Sequence, residues 1–233
     1  MSGEGTPFRE IQELLAGALA GAGPRHVLDA GCGYSVHLEL PDAVELTGLD
    51  ISPEVLEKHE GLDAKIVGDV ETYPLPSATF DVVLCWNVLE HLPHPRAAVA
   101  NLARTLKPGG LLIVGVPNLW SLKGLVTKLT PHRFHVWVYR RILGHDEAGT
   151  PEFGPYPTYL RRDISPARLA RLARTTSLDP VYARSYAVPL GLPRALGAAW
   201  SAVAGLGRVL TLGAWDSAAT EHVAVFRKQG TDA

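Results

Sequence analysis

Hydrophobic positions recur at helical spacing at the start of this chain and then give way to short apolar runs. In FREIQELLAGALA, Phe8, Ile11, Leu14, Leu15 and Leu19 share one side of a helix that ends at Gly21 and Gly23. That helix is expected to cap a crevice or a sheet edge. Strands are then predicted at about 25–30, 44–50, 64–69, 80–87 and 111–118. The fourth, FDVVLCWN, is apolar almost throughout, the pattern of a strand covered on both faces. Between strands, Ser52-Pro53 starts a helix that runs through VLEKHE to Gly61, and RAAVANLARTLKPGG makes a helix ended by Pro108-Gly109-Gly110. VLEHL begins a further helical stretch that Pro93 and Pro95 break, while Tyr34 to Leu40 has room for no more than about two helical turns. Strands alternating with helices in this way predict a doubly wound α/β fold, a parallel sheet with helices on both faces.

After Asn118 the alternation stops. Residues 119–163 are rich in aromatic, basic, Pro and Gly residues and read as a lid-like insertion after strand five. A helix at about 164–178, capped by Ser165 or Asp163, and two more strands, PVYARSYAV and about 221–229, bring the expected sheet to seven strands. One domain over 1–233 is expected, with its core at 8–118 and 164–229 and residues 1–7 frayed. The segment 191–215 is Gly- and Ala-rich. Its uncharged stretch, Ala195 to Gly207, is too short to span a bilayer, so it reads as a core-packing or interfacial helix, or a homodimer face.

Composition narrows the class. With 46% apolar and 20% charged residues the chain is an ordinary globular protein, and a net charge of −2 gives no reason to expect a nucleic-acid partner. Cys32 and Cys85 read as buried thiols of a reducing compartment. Glu4 and Glu10, with no apolar run beside a basic region, exclude a secretory signal at the start, so a cytoplasmic protein is expected. No His, Cys and acid cluster has metal-ligand spacing, so no metal requirement is expected.

The candidate chemistry lies in His26–Asp50. Ala30-Gly31-Cys32-Gly33 can turn without Cβ clashes and bring main chain close to a ligand. Asp50 stands 21 residues beyond Asp29, a spacing that suits a carboxylate on a ribose diol. A dinucleotide fingerprint would need glycine where Val36 stands, so nothing prepares a pyrophosphate site. An adenosine with an amino-acid tail fits better: Asp29 can face an ammonium, and the turn's N–H groups a carboxylate. Asp81, beside the fourth strand, is expected to bond main chain and no ligand.

Four stretches in this order, VLDAGCG, GLDIS, VGDVETYPLPSATFDVVLCWNVLEHL and LARTLKPGGLLIVGVPN, resemble the class I S-adenosylmethionine-dependent methyltransferases, in their small-molecule, methyltransferase type 11-like branch. The resemblance covers about residues 25–118 and implies a Rossmann-like fold, S-adenosylmethionine as cofactor and S-adenosylhomocysteine as product. It assigns Asp29, Ala30, Gly31 and Gly33 to the amino-acid tail, Asp50 to the ribose, and Ile51 to packing on the adenine. Asp69 would bond the adenine amino group, the Val70 main chain would meet the ring, and Asn87 would line the methionine end. Many members carry glycine where this chain has Ser35. A hydroxyl acceptor also needs a base, and His91 is the candidate, with His132, His135, Tyr139 and Tyr156 behind it. Lys123, Lys128, Arg133, Arg140 and Arg141, interleaved with aromatics, suit an anionic or lipid-linked small-molecule acceptor, or peripheral contact with a membrane. A lid whose aromatics pack on the sheet is the plainer reading. WNVL replaces the Asn-Pro-Pro-aromatic run of base-amino enzymes, which again argues against nucleic acid. The competing class is a non-catalytic module that binds the same ligand on the same fold.

Overall fold

A computed structural model describes residues 7–21, 23–150, 153–211 and 216–230. Of the stretch expected to fray, all but Pro7 lies outside the described residues. A seven-stranded sheet runs in the order β3-β2-β1-β4-β5-β7-β6. Its strands are β1 (Arg25–Ala30), β2 (Val44–Asp50), β3 (Ala64–Val67), β4 (Phe80–Trp86), β5 (Leu106–Pro117), β6 (Leu178–Tyr186) and β7 (Glu221–Lys228). The first five are mutually parallel, while β7 runs antiparallel to both β5 and β6. The fold is therefore the Rossmann-like, mostly parallel sheet expected from the sequence, with one reversed strand.

Alternation along each strand divides the core. In β4, Val83 and Cys85 face a cluster with Leu28 of β1, Leu112 of β5, and Ala98, Val99 and Leu102 of α3 (Pro95–Thr105). Leu169 and Ala173 of α6 (Pro166–Thr175) complete that face. Val82, Leu84 and Trp86 point the other way, onto Ile11 and Leu15 of α1 (Phe8–Leu19). Helix α1 thus covers a sheet face, and its Phe8 ring sits 5.6 Å from that of Trp86. Both cysteines are buried.

The element bounds depart from expectation in a few places. No helix forms between β1 and β2; the segment runs in turns and bends, with Leu38 buried against the α1 layer and the Glu39 carbonyl taken by Gln12 Nε2 at 2.5 Å. Helix α2 (Pro53–Lys58) is capped as expected by Ser52 Oγ, which accepts from Val55 N–H, but it ends before Gly61. Strand β3 stops two residues before Asp69. VLEHL closes into a single 3₁₀ turn, Leu89–His91. Pro108-Gly109-Gly110 belongs to the start of β5, where the ladder to β4 shifts register between Phe80 and Val82 and Gly109 takes φ +80°. Before α6, Ser165 occupies the cap position, yet its hydroxyl donates back to the Arg162 carbonyl and caps nothing.

Among its described residues the stretch 119–163 contributes no strand to the sheet. It carries α4 (Leu122–Leu129) and α5 (His132–Arg141), and the segment 191–215 carries α7 (Arg194–Leu210), its last residues lying outside the described ones. Among the described residues no helix is long and apolar enough to cross a membrane.

Candidate functional site

In a sheet of this order the chain changes direction between β1 and β4, and the gap at their carboxyl ends is where such folds bind ligands. Asp29, Gly31, Gly33, Asp50 and Asn87 all come to this edge, from β1, β2 and the end of β4. The turn after β1 hangs from β2. Gly31 and Cys32 N–H groups donate to the Leu49 carbonyl at 2.6 and 3.3 Å, and Gly33 N–H to Asp50 Oδ2 at 3.1 Å. These N–H groups were expected to meet a ligand carboxylate; they are instead spent on holding the turn. Gly31 and Gly33 take φ of +75° and +58°, and a Cβ on Gly31 would run into the Val88 side chain. The glycine turn is thereby pressed against the segment after β4.

Asp29 is 3% exposed, and its Oδ2 has no hydrogen-bond partner within the protein. Burial, and then the charge of Asp50, push its pKa up to about 7. A buried carboxylate with an open oxygen is costly alone and is relieved by a cation, so the residues present fit a ligand ammonium. Asp50 spends one interaction of each oxygen on Gly33 and Ser52 N–H, which leaves lone pairs for a diol. Ile51 follows at 73% exposure, an apolar surface a flat ring can cover. On β3's side, Asp69 Oδ1 accepts from Glu71 N–H at 2.8 Å, and buried Val70 gives its carbonyl to Asn101 Nδ2. Asn87 directly follows β4 with φ +54°, a left-handed conformation that asparagine tolerates and that recurs at functional sites.

The segment after β4 is latched by a strap from the 119–163 stretch, a contact that sequence spacing could not reveal. Tyr159 and Leu160 N–H groups donate to the Glu90 carbonyl at 2.8 and 3.2 Å. Arg161 Nε reaches the Pro93 carbonyl at 3.1 Å, and Arg96 pairs with Asp163 at 2.8 Å. His91 Nδ1 lies 2.7 Å from the Pro157 carbonyl oxygen, and the Tyr156 ring meets the imidazole edge-on at 6.0 Å. A carbonyl only accepts, so Nδ1 carries the proton and Nε2 the lone pair. Burial lowers the His91 pKa against the opposing pull of that carbonyl, which keeps the neutral ring.

Beside it stands Glu90, which the sequence offered together with His91 as ordering the helix start or touching the cofactor's tail. Glu90 is 4% exposed, its Oε2 has no partner, and its Oε1 lies 3.9 Å from His91 Nε2. Burial raises its pKa to about 8, assisted by the Glu221 charge and opposed by its own backbone hydrogen bond and by Lys123, so it is largely protonated at neutral pH. His132, His135 and Tyr139 lie on α5 (His132–Arg141), where His135 Nε2 pairs with Thr130 Oγ1 at 2.6 Å and Tyr139 packs near His145. Asp81 takes the structural role expected of it, accepting from His26 N–H and from Arg25 and Lys107.

The comparisons with known proteins agree with this geometry. The methyltransferase-domain family matches residues 28–114, from β1 into β5. Ubiquinone biosynthesis O-methyltransferase of Paracidovorax citrulli is 30% identical over 202 residues, 79% of this chain and 77% of that one. The enzyme of the same description from Thiobacillus denitrificans is 29% identical over 189 residues, 74% of each chain. Among solved structures, a SAM-dependent methyltransferase from Archaeoglobus fulgidus superposes with a TM-score of 0.57 at 18% identity, covering 95% of this chain and 96% of that one. That likeness shows the fold, and the curated relatives carry the rest. The chain belongs to the class I S-adenosylmethionine-dependent methyltransferases.

Proposed function

We propose that this enzyme methylates a hydroxyl group of a small molecule, with His91 as the base. One observation carries the reading: His91 is held by Pro157 in the tautomer whose Nε2 can take a proton. When bound, the cofactor supplies an electrophilic methyl group on a sulfonium whose sulfur leaves as a neutral thioether. Asp29 would hold its ammonium, Asp50 its ribose, Ile51 and Val70 its adenine with Asp69 at the ring edge, and Asn87 would line its amino-acid end, which the turn at Ala30, Gly31 and Gly33 would let come close to the main chain. His91 Nε2 would accept the acceptor's hydroxyl proton as oxygen becomes the nucleophile, and buried Leu89 and Glu90 with the 155–161 strap would keep water from that proton. Residues 119–163 would cover the acceptor. The O-methyltransferase description of the curated relatives supports oxygen as the atom methylated.

The test uses labelled S-adenosylmethionine and a panel of phenolic and alcoholic acceptors. His91→Ala is expected to keep S-adenosylhomocysteine affinity within about twofold in calorimetry and to lower kcat by roughly 10²–10³-fold. Equal turnover by the variant would remove His91 from the chemistry. Transfer to amines but to no hydroxyl would overturn the choice of oxygen.

A further inference from the structure

Two helices at the crevice edge, α4 and α7, and α5, which follows α4, expose side chains that the site chemistry leaves unexplained. Helix α4 follows β5 at its carboxyl end, and α7 joins the carboxyl end of β6 to β7; β6 runs parallel to β5, so both helices sit on the same edge as Asp29 and Asn87. They are tied together. Leu122 N–H donates to the Ser217 carbonyl at 2.8 Å, and Ser217 Oγ to the Ala204 carbonyl of α7 at 2.9 Å. Helix α5 follows α4 across Pro131 and has no buried residue.

The outer surface of this group is both apolar and basic. Leu129 is 81% exposed, and Phe134 and Trp137 stack on each other in the open at 5.9 Å. On α7, Val203, Leu206 and Leu210 are each more than half exposed at i, i+3 and i+7, a single stripe facing outward. Lys128, Arg133, Arg140, Arg141 and Arg194 are exposed on the same three helices, whose sequences contain no Asp or Glu. In a chain of net charge −2 such a segregation of cations with apolar side chains is not a merely solvated surface. A dimer seam along the α7 stripe would call for acids to complement the bases, and these helices offer none. Anionic headgroups complement the bases, and the acyl boundary takes the leucines and tryptophan, with helices too short to span lying in the interface plane.

We propose that α4, α5 and α7 form a docking face for an anionic membrane surface, which places the crevice mouth at the bilayer. The proposal does not depend on which atom is methylated. The test is flotation of the full chain with vesicles of phosphatidylcholine alone or with about 30% phosphatidylglycerol, at low and high salt. Binding is expected to be at least about tenfold tighter on the anionic vesicles and to weaken with salt. Lys128→Glu with Arg133→Glu and Arg141→Glu is expected to abolish the preference, and Trp137→Ala with Leu206→Ala to lower binding to both vesicles by roughly tenfold, while S-adenosylhomocysteine affinity stays unchanged and reports the fold. Equal binding to both vesicle types, no binding, or variants that bind like the wild type would overturn it. So would a dimer in sedimentation that Leu206→Glu dissociates. Vesicle binding without methyl transfer to any hydroxyl leaves this face standing and removes the acceptor reading; transfer without vesicle binding does the reverse.

Discussion

Two buried carboxyl groups, Asp29 and Glu90, shape how this protein should respond to pH. Glu90 keeps its proton in the fold up to about pH 8, whereas the unfolded chain releases it near 4.5. The folded state therefore binds more protons across that window, and Glu90's contribution to stability declines as pH rises from about 4.5 to about 8. Glu90→Gln removes the titration and keeps the shape. It is expected to gain on the order of 4 kcal/mol at pH 8, roughly 8–16 °C in Tm, and nothing at pH 4, as calorimetric melting would read. Asp29 acts with the same sign between 3.8 and about 7, but its open oxygen also waits for a cation. Cofactor affinity should rise as pH passes up through about 7, and Asp29→Asn should weaken S-adenosylhomocysteine at least tenfold and flatten that rise, by calorimetry. Asp29 and Asp50 were legible as a pair because strand ends and their spacing are local features. Glu90 was not, because its burial is set by the folded chain, and the charges of Glu221 and Lys123 that act on it come from far along the sequence.

At the scale of elements, the site is a contact between two loops. The Gly31 turn leans on Val88, and a Cβ there meets both a left-handed φ and that side chain. Gly31→Ala is expected to cost more than about 1 kcal/mol in urea unfolding and to weaken cofactor binding; adding Val88→Ala should restore the part due to the clash and not the part due to φ. A double variant no better than the single would place the whole cost in the backbone. The strands β1 and β2 could be read to the residue, since apolar runs bounded by Gly, Pro and acids carry their limits in the sequence. The start of β5 could not. Lys107-Pro108-Gly109-Gly110 has the chemistry of a helix end, yet a register shift against Phe80 and Val82 recruits it to the sheet. The helix expected after Tyr34 fails for a similar reason: Leu38 is drawn down into the α1 layer and Gln12 claims the Glu39 carbonyl.

Across the whole molecule, the end of the sheet opposite the crevice is fastened by Asp81. Its carboxylate accepts from His26 N–H at 2.9 Å and pairs with Arg25 at 3.2 Å and Lys107 at 2.7 Å, joining β1, β4 and β5. Burial pushes its pKa up, but Lys107, the His26 N–H and Arg25 outweigh it and hold the group below its ordinary value. That stability is present at neutral pH and is lost as pH falls through the depressed pKa. Asp81→Ala should cost about 3–5 kcal/mol in denaturant unfolding because it strands two cations and a main-chain donor, while per-molecule cofactor affinity of the folded fraction stays as in the wild type. A loss below about 1 kcal/mol would show the triad to be solvated.

The sequence by itself determined the alternation of strands and helices, the glycine turn, and the acids at the strand ends. These are short-range matters of period, φ and chain reversal, so neighbours in sequence suffice to specify them. The tertiary structure alone decided the pairing of His91 with Pro157, sixty-six residues away. It also decided the burial of Glu90 and the hydrogen bonds through Ser217 that tie α4 to α7. Each depends on long-range contacts whose partners no periodicity announces, because loop closure and packing, and not local propensity, choose them.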